Sequence, residues 1–206
     1  MATLIPIERY IAAFPASPLG AWADAAPWAL TSNSEAIVRA LLATLPVRDY
    51  MLADEVAVHR SAVVEDGAVL KGPLILGPHC FVAAGAYLRG GNWVDAHCAF
   101  GPGVEVKSSF VFAGSKFAHF NFVGDSLIGA GVNLEAGSIV CNYRNELVDK
   151  EINVRIDGAP HRTGVKKFGA LIGDGVRLGA NAVVAPGALL APGTVLQRAA
   201  LLDQGF

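Results

Sequence analysis

The residues of this chain best suited to chemistry are one histidine and two cations at a regular spacing. His119 lies in a stretch rich in phenylalanine, and a histidine that titrates near neutrality can act as a general base. Arg89 and Lys107 are 18 residues apart, so they would stack if each turn of the chain took 18 residues. Two stacked cations could bind a phosphate group. The alternatives are a histidine packed among aromatic rings and two ordinary solvated charges.

The other histidines and the cysteines do not predict a metal centre. His79 and His97 are also 18 residues apart and should stack, but no further histidine shares their phase, so we predict no metal site. The three cysteines, Cys80, Cys98 and Cys141, are odd in number and fall at repeat positions. This pattern indicates small buried residues in a reducing compartment, with Cys141 as an inward-facing residue rather than a nucleophile.

Composition excludes several classes of partner. A net charge of -2 and a pI near 6.2 provide no electrostatic footprint for nucleic acid or an anionic membrane surface. The mean hydropathy of +0.44 is high, but no apolar stretch approaches the roughly 18 residues that would cross a bilayer. The N-terminus has no signal-peptide pattern. We therefore expect a cytoplasmic protein of one domain, or of one domain with a small appendage.

A six-residue apolar period provides the scaffold for the candidate residues. Neither a helix nor an ordinary strand has this period, whereas hexapeptide repeats are typical of a parallel β-helix with three hexads per coil. Positions 18 residues apart should therefore stack. The apolar positions are Val58, Val64, Leu70, Leu76, Val82, Leu88, Val94, Phe100, Val106 and Phe112, and later Ile172, Leu178, Val184, Leu190 and Leu196.

Two interruptions break the period. Ile128, Leu134 and Val140 are six residues apart but out of phase with the first run, which predicts a slip within residues 116–125. Such a slip indicates either a functional site or a plain loop insertion.

The second interruption, about residues 146–166, leaves the repeat altogether. Ile152, Val154 and Ile156 alternate with polar residues before Asp157 and Gly158, a pattern that predicts a projecting β-hairpin with a tight turn.

Residues 1–51 have a different pattern and predict an N-terminal helical cap. Residues 6–14 and 33–45 have helical spacing, with Asn33 or Ser34 as the N-cap of the second helix. We expect the cap to cover the open end of the β-helix, as repeat arrays require. The predicted organisation is therefore a helical cap (1–51), a β-helix (52–198) and a short tail (199–206).

The segment 115–143 resembles the acetyltransferase half of the bifunctional N-acetylglucosamine-1-phosphate uridyltransferase/glucosamine-1-phosphate acetyltransferases. The resemblance is carried by S-K-x-x-H ending at His119, G-D ending at Asp125, V-N ending at Asn133, A-G beginning at Ala136 and C-N-Y ending at Tyr143. It covers roughly residues 85–197, and the hairpin resembles related archaeal-type sugar-phosphate nucleotidylyltransferases.

This resemblance implies a left-handed β-helix and a homotrimer with active sites between subunits. One subunit would supply His119 and the basic residues, and a neighbour much of the coenzyme A groove. The implied activity is acetyl-CoA-dependent acetyl transfer to an amino-sugar 1-phosphate or a nucleotide sugar. Uridyl transfer is not expected, because this sequence contains no Gly-rich nucleotidyltransferase domain.

The resemblance also implies a role for each matching residue. His119 corresponds to the catalytic base, and Asn142 and Tyr143 correspond to residues beside the reacting amine. The implied substrate-binding residues are Arg89, Lys107, Asn133 and Lys167, and those near acetyl-CoA are Ala136 and Ala180.

Several departures from the family pattern keep other functions open. Phe122 stands where the family usually has tyrosine, Glu135 replaces a glycine, Ala180 replaces a serine, and the segment after Leu196 is short. A second hypothesis is therefore a non-catalytic trimerisation or regulatory module that partners a separate sugar-phosphate nucleotidyltransferase. A third is a metal-dependent hydratase on the same fold. The acceptor sugar, and whether an amine or a hydroxyl is acetylated, stay open.

Overall fold

The solenoid predicted from the six-residue period is present in the computed structural model, which describes residues 5–204. Within these residues, three sheets each contain seven parallel strands, and one sheet has an additional antiparallel strand at its edge. The fold is the predicted left-handed parallel β-helix with helical elements before it and one inserted hairpin. Residues 1–4 of the predicted cap and residues 205–206 of the predicted tail lie outside the described residues.

The strands are short, as expected for a chain that turns a corner about every six residues. Sheet A consists of β1 (Tyr50–Ala53), β2 (Val56–His59), β5 (Leu74–Leu76), β8 (Asn92–Val94), β11 (Phe110–Val111), β14 (Leu127–Ile128), β19 (Ala170–Ile172) and β22 (Ala188–Leu190). Sheet B consists of β3 (Val63–Val64), β6 (Phe81–Val82), β9 (Ala99–Phe100), β12 (Lys116–Phe117), β15 (Asn133–Leu134), β20 (Arg177–Leu178) and β23 (Val195–Leu196). Sheet C consists of β4 (Val69–Leu70), β7 (Tyr87–Arg89), β10 (Glu105–Lys107), β13 (Phe122–Gly124), β16 (Ile139–Val140), β21 (Val183–Val184) and β24 (Leu201–Leu202).

The repeat shortens at two corners, both between sheet C and sheet A. Leu88 pairs with Val106, which is 18 residues later. Val94, however, pairs with Val111, and Val111 pairs with Ile128, each only 17 residues later. One residue is therefore lost between Val106 and Val111, and a second is lost at the same corner of the next coil.

These shortened corners correct two sequence predictions. The single slip predicted within residues 116–125 is wrong, because there are two slips, the first before that range and the second between residues 123 and 128. Phe112 is not an interior position either, since Val111 occupies that place. Phe112 instead packs outside sheet A, with its ring centroid 5.9 Å from that of Phe14 and 5.2 Å from that of Trp93.

A buried polar ladder holds the shortened corners in place. The Asn92 amide donates to the carbonyls of Arg89 and Val106 at 2.9 and 3.2 Å, and its oxygen accepts from the Ser109 N–H at 2.9 Å. One coil further, the Ser109 hydroxyl accepts from the Ser126 N–H at 3.1 Å. Asn92, Ser109 and Ser126 are fully buried, so these side chains satisfy backbone groups that water cannot reach.

The helical elements precede the solenoid. They comprise the helices α1 (Pro27–Ser32) and α2 (Ser34–Leu42) and the 3-10 helices Ile7–Arg9, Phe14–Ala16, Pro18–Trp22 and Val47–Asp49. The helix predicted over 6–14 is thus only partly helical, and the one predicted over 33–45 is shorter. Asn33 precedes α2 but makes no capping bond with its side chain, which donates instead to the Ala29 carbonyl of α1 at 2.9 Å.

This N-terminal segment lies along the flank of the solenoid. Its apolar side chains, such as Ile7 and Leu30, form a second core with outward-facing residues of sheet A, such as Phe110, Leu127 and Leu171. The expectation that the cap covers the open end of the β-helix is therefore wrong. Sheet A carries an apolar row on its outer face, and that row must be buried against another element.

The hairpin and the C-terminal strand complete the fold. Strand β17 (Asn153–Ile156) pairs antiparallel with β18 (Ala159–Arg162), and the turn residues Asp157 and Gly158 have φ values of 50° and 81°. The predicted hairpin is therefore confirmed. Strand β24 continues sheet C beyond residue 198, and the predicted domain limits at 51 and 198 stay predictions. None of the helices between residues 5 and 204 has the length and apolar character that crossing a bilayer requires.

Candidate active site

A groove of about 510 Å³ opens at the corner between sheets C and A. Its lining includes five residues that the sequence analysis selected, together with Phe122; the five are Arg89, Lys107, Asn142, Tyr143 and Lys167. With Phe122, they come from four successive coils and from the segment after the hairpin. The groove therefore lies where the repeat shortens and where the hairpin is inserted.

Arg89 and Lys107 are paired opposite each other in neighbouring strands, so the predicted stacking is confirmed. Each cation also has a carboxylate partner within the chain. Arg89 donates through Nε and Nη2 to Glu105 Oε1 at 2.9 and 2.7 Å. Glu105 therefore partly compensates the positive charge of Arg89. Asp125 compensates the charge of Lys107 in the same way.

Asp125 binds two of the groove residues at once. Lys107 Nζ lies 3.1 Å from both carboxylate oxygens of Asp125, and Asn142 Nδ2 lies 2.5 Å from Oδ2. Lys107 also donates to Ser108 Oγ at 3.2 Å. The side chains of Lys107 and Asp125 are only 18% and 6% exposed, so this ion pair is screened far less than a surface pair.

The segment after the hairpin brings Lys167 beside Asn142. The Phe168 N–H donates to the Asn142 carbonyl at 3.1 Å, and the Gly169 N–H donates to the Asp125 carbonyl at 2.9 Å. Lys167 is exposed. It also lines a second cavity of about 670 Å³, between helix α2 and the Lys107–Asp125 pair.

His119 does not line the groove. It is exposed, and it lies in the turn between β12 and β13, at the corner between sheets B and C. Its carbonyl accepts from the Gly137 N–H at 2.8 Å, and its imidazole packs over Gly101. From His119 to Phe122 the chain advances by three residues, or about 10 Å at the rise of an extended strand.

Asn133 lies in another groove, on the outer face of sheet B. This groove has a volume of about 490 Å³ and is also lined by Glu135, Arg177 and Arg198. The Ala180 N–H donates to Glu135 Oε2 at 2.9 Å, and Arg198 pairs with the same oxygen at 3.1 Å.

This ion pair affects Ala180, one of the two residues predicted to lie near acetyl-CoA. The Arg198 guanidinium, followed by the Ala180 N–H, holds the pKa of the Glu135 carboxyl below its ordinary value. Glu135 therefore occupies the backbone donor of Ala180. Ala136 adjoins this region, with its carbonyl accepting from the Asn181 N–H at 3.0 Å.

The remaining histidines and cysteines form no further centre. The rings of His79 and His97 stack as predicted, with centroids 4.9 Å apart. Among residues 5–204, no three His, Cys, Asp or Glu side chains form a group that could hold a metal ion. Burial raises the pKa of the half-buried Cys141 thiol, which opposes a role as a thiolate nucleophile.

Asp125, the last residue of the G-D motif, is not among the site residues predicted from the sequence. The sequence feature that could have identified Asp125 is its spacing, because Lys107 follows Arg89 by 18 residues and Asp125 follows Lys107 by 18 residues. Because the corner is shortened, strand pairing aligns Lys107 with Gly124, and Asp125 follows one residue later in the turn. That offset places its carboxylate against the Lys107 ammonium.

Fold and groove together define a hexapeptide-repeat β-helix whose charged groove matches the acetyltransferase motif. The curated relatives agree with this class. A bifunctional sugar-1-phosphate nucleotidylyltransferase/acetyltransferase of Sulfurisphaera tokodaii is 34% identical over 142 residues, which is 60% of this chain and 35% of that protein. The bifunctional protein GlmU of Alcanivorax borkumensis is 39% identical over 119 residues, 55% of this chain and 24% of that protein. GlmU of Methanococcus maripaludis is 28% identical over 191 residues, 89% of this chain and 45% of that protein.

The chain thus spans about a quarter to a half of the length of these relatives, and the predicted resemblance to them is confirmed. No protein-family profile matches the chain.

Two solved structures are similar at low scores. A hexapeptide transferase family protein from Anaplasma phagocytophilum has a TM-score of 0.32 and 17% identity, covering 71% of this chain and 72% of that one. A GDP-perosamine N-acetyl transferase mutant from Caulobacter crescentus, in complex with CoA and GDP-perosamine, has a TM-score of 0.27 and 16% identity, covering 85% and 69%. At these scores the structural similarity carries no argument.

Proposed function

We propose that this chain is an acetyl-CoA-dependent acetyltransferase whose acceptor is an amino-sugar 1-phosphate or a nucleotide sugar. The observation that carries the proposal is the convergence of Arg89, Lys107, Asn142, Tyr143 and Lys167 in one groove. These residues come from four separate parts of the sequence, and spacing and family resemblance select them independently of their position in space. In this proposal Lys167 and the stacked pair Arg89 and Lys107 bind phosphate, and Asn142 and Tyr143 orient the amine.

In the proposed reaction His119 acts as the general base. The imidazole removes a proton from the acceptor's ammonium group, and the amine nitrogen then attacks the thioester carbonyl carbon. Collapse of the tetrahedral intermediate breaks the carbon–sulfur bond and releases coenzyme A, whose sulfur takes up a proton. The products are an N-acetylated sugar phosphate, coenzyme A and one proton.

The position of His119 makes oligomerisation part of the proposal. His119 does not line the groove of its own chain. We therefore propose a homotrimer in which the His119 of a neighbouring subunit completes the site, in place of the expectation that one subunit supplies both His119 and the basic residues. Ala136 and Ala180 would then contribute to the acetyl-CoA groove along sheet B, and Asn133 would contact the acceptor sugar. Mixing His119→Ala with Lys107→Ala before refolding tests this arrangement. Shared sites restore part of the activity, whereas a site built from one chain restores none.

The activity itself has a direct test. Purified protein is incubated with acetyl-CoA and either glucosamine 1-phosphate or galactosamine 1-phosphate, and release of coenzyme A is followed. Release is expected with at least one acceptor and should fall by about 100-fold or more in His119→Ala, as for loss of a general base. If neither an amino-sugar phosphate nor an amino nucleotide sugar supports release, the acetyltransferase proposal fails.

One observation favours the alternative of a non-catalytic module that partners a separate sugar-phosphate nucleotidyltransferase. Glu135 already occupies the Ala180 N–H and pairs with Arg198, which closes part of the groove proposed for acetyl-CoA. Calorimetric titration with coenzyme A separates the two functions. Saturable binding supports the acetyltransferase, and absence of binding together with association to a nucleotidyltransferase supports the module.

A further inference from the structure

Asp125 joins two residues of the groove, Lys107 and Asn142, and the proposed mechanism does not use it. We infer that Asp125 is a positioning residue that fixes both the Lys107 ammonium and the orientation of the Asn142 amide for acetyl transfer. This inference rests on the proposed function. Asp125 itself does not line the groove and acts on the acceptor only through its two partners.

Chemistry determines which way the Asn142 amide points. An ionised carboxylate only accepts hydrogen bonds, so the atom 2.5 Å from Asp125 Oδ2 must be the amide nitrogen of Asn142. The amide oxygen, Oδ1, is then left for the groove that Asn142 lines. Asn142 Oδ1 can accept a hydrogen bond at this point. It could therefore bind an N–H of the molecule that receives the acetyl group and help hold its amino group in place.

The surroundings of Asp125 fix it as firmly as its side-chain contacts do. Its N–H donates to the Lys107 carbonyl at 2.8 Å, and its carbonyl accepts from the Gly169 N–H at 2.9 Å. It adopts a φ of 48°, a left-handed conformation that aspartate tolerates better than most residues. Asp125 therefore connects the coil of Lys107, the coil of Asn142 and the segment that follows Lys167.

The same network orients the ammonium group of Lys107. Two ammonium hydrogens point to the Asp125 oxygens, and Ser108 Oγ is within 3.2 Å for the third. Asp125 thus holds the lysine in one rotamer and leaves the pair with no net charge. By contrast, Lys167 has no carboxylate partner among the contacts of residues 5–204, so of the three proposed phosphate-binding cations it offers the least compensated charge.

The kinetic test compares Asp125→Asn with wild type. Asparagine keeps the shape but can donate to Asn142 Oδ1, so the Asn142 amide is free to flip. We expect kcat to fall on the order of 100-fold, as for misplacement of a reacting group by about an ångström. The KM for acetyl-CoA should stay within about twofold, because the substitution disturbs the orientation of the reacting groups and leaves the binding of acetyl-CoA unchanged.

A matched control is Glu65→Gln. The Glu65 carboxylate also accepts a hydrogen bond, from the Ala84 N–H at 2.8 Å, but it lies away from the groove. This variant should keep the wild-type kcat. If Asp125→Asn behaves like Glu65→Gln, or if its loss of activity is matched by a loss of acetyl-CoA binding, the positioning role is overturned.

A second measurement does not need activity. In a ¹⁵N-labelled sample, the signal of the Asn142 side-chain amide is assigned by its disappearance in Asn142→Ala. One of its two protons should be shifted downfield and exchange slowly, because it is hydrogen-bonded to Asp125. Asp125→Ala should remove that shift, and an unchanged signal would overturn the inference. If wild type acetylates nothing but the signal moves as expected, the proposed function fails while the orientation of the amide stands.

Discussion

Replacing Asn92 by alanine tests the physical basis of the corner on which the groove is built. Asn92 is fully buried and lies beneath the turn that carries Arg89 and Lys107. Its amide serves three backbone groups, namely the carbonyls of Arg89 and Val106 and the N–H of Ser109. Alanine serves none of them, so the Ser109 N–H loses its partner and both carbonyls lose an amide donor, while the Arg89 carbonyl keeps the Ser108 N–H at 3.1 Å.

The expected magnitude follows from these three groups. A buried donor or acceptor left without a partner costs about 1–3 kcal/mol. Water entering the space left by the amide would satisfy part of the deficit. We therefore expect the free energy of unfolding to fall by about 3 kcal/mol in Asn92→Ala.

Urea unfolding at one fixed protein concentration measures this change, because subunit association would make stability concentration-dependent. The control is Asn33→Ala, which removes one exposed amide bond to Ala29 and should lower stability by less than about 1 kcal/mol. The midpoint should shift without a change in slope. A loss in Asn92→Ala no larger than in the control would refute the argument that this ladder holds the corner.

Three further predictions concern other parts of the chain. In Gly124→Ala the new Cβ would lie 2.5 Å from Asn142 Nδ2 and 2.9 Å from Phe122 Cζ, so Asn142 must move. The kcat/KM for the acetyl acceptor should drop by about tenfold or more in steady-state assays. Unchanged kinetics would show that the position of Asn142 is not needed. In Asp203→Asn the buried Arg144 loses the charge of a partner that it meets at 2.6 Å; the unfolding free energy should fall by about 1–2 kcal/mol in urea titrations, because Asp203 is itself one-third exposed. The depressed pKa of Glu135 contributes stability above the ordinary glutamate value of 4.5, and this contribution disappears as the pH falls through the lower folded value. Wild type should therefore melt above Glu135→Gln at pH 7, and the two melting temperatures should converge below about pH 4; a constant difference across that range would contradict the pairing with Arg198.

Much of the scaffold could be predicted from the sequence because its period is local. A corner every six residues forces apolar residues such as Leu88 and Val106 inward, and their stacking requires no knowledge of other segments. The hairpin was also predictable, because alternation ending in Asp157 and Gly158 is a short-range signal. The 18-residue spacing and the family resemblance selected nine site residues, and the structure brings five of them into one groove: Arg89, Lys107, Asn142, Tyr143 and Lys167.

Other features depended on contacts between distant segments. The sequence could not show that the N-terminal helices lie along sheet A, because an apolar helix face can pack on any apolar surface. The folded chain offers such a surface in the outer row of sheet A, which includes Phe110 and Leu127. The single slip predicted within residues 116–125 is wrong for a similar reason. Phe112 continues the six-residue period from Val106 and Val111 does not, so only the pairing of Val111 with Val94 and Ile128 identifies it as the inward residue.

The sequence by itself determined the β-helix, the hairpin and the types of residue at the candidate site, because these follow from spacing along the chain. The tertiary structure decided how those residues are paired. It placed Asp125 against Lys107 and Asn142, and Glu135 against Ala180 and Arg198, and it set His119 apart from the groove. Charge pairing depends on distances of a few ångströms across neighbouring coils, and a shift of one residue at a corner changes which side chains meet.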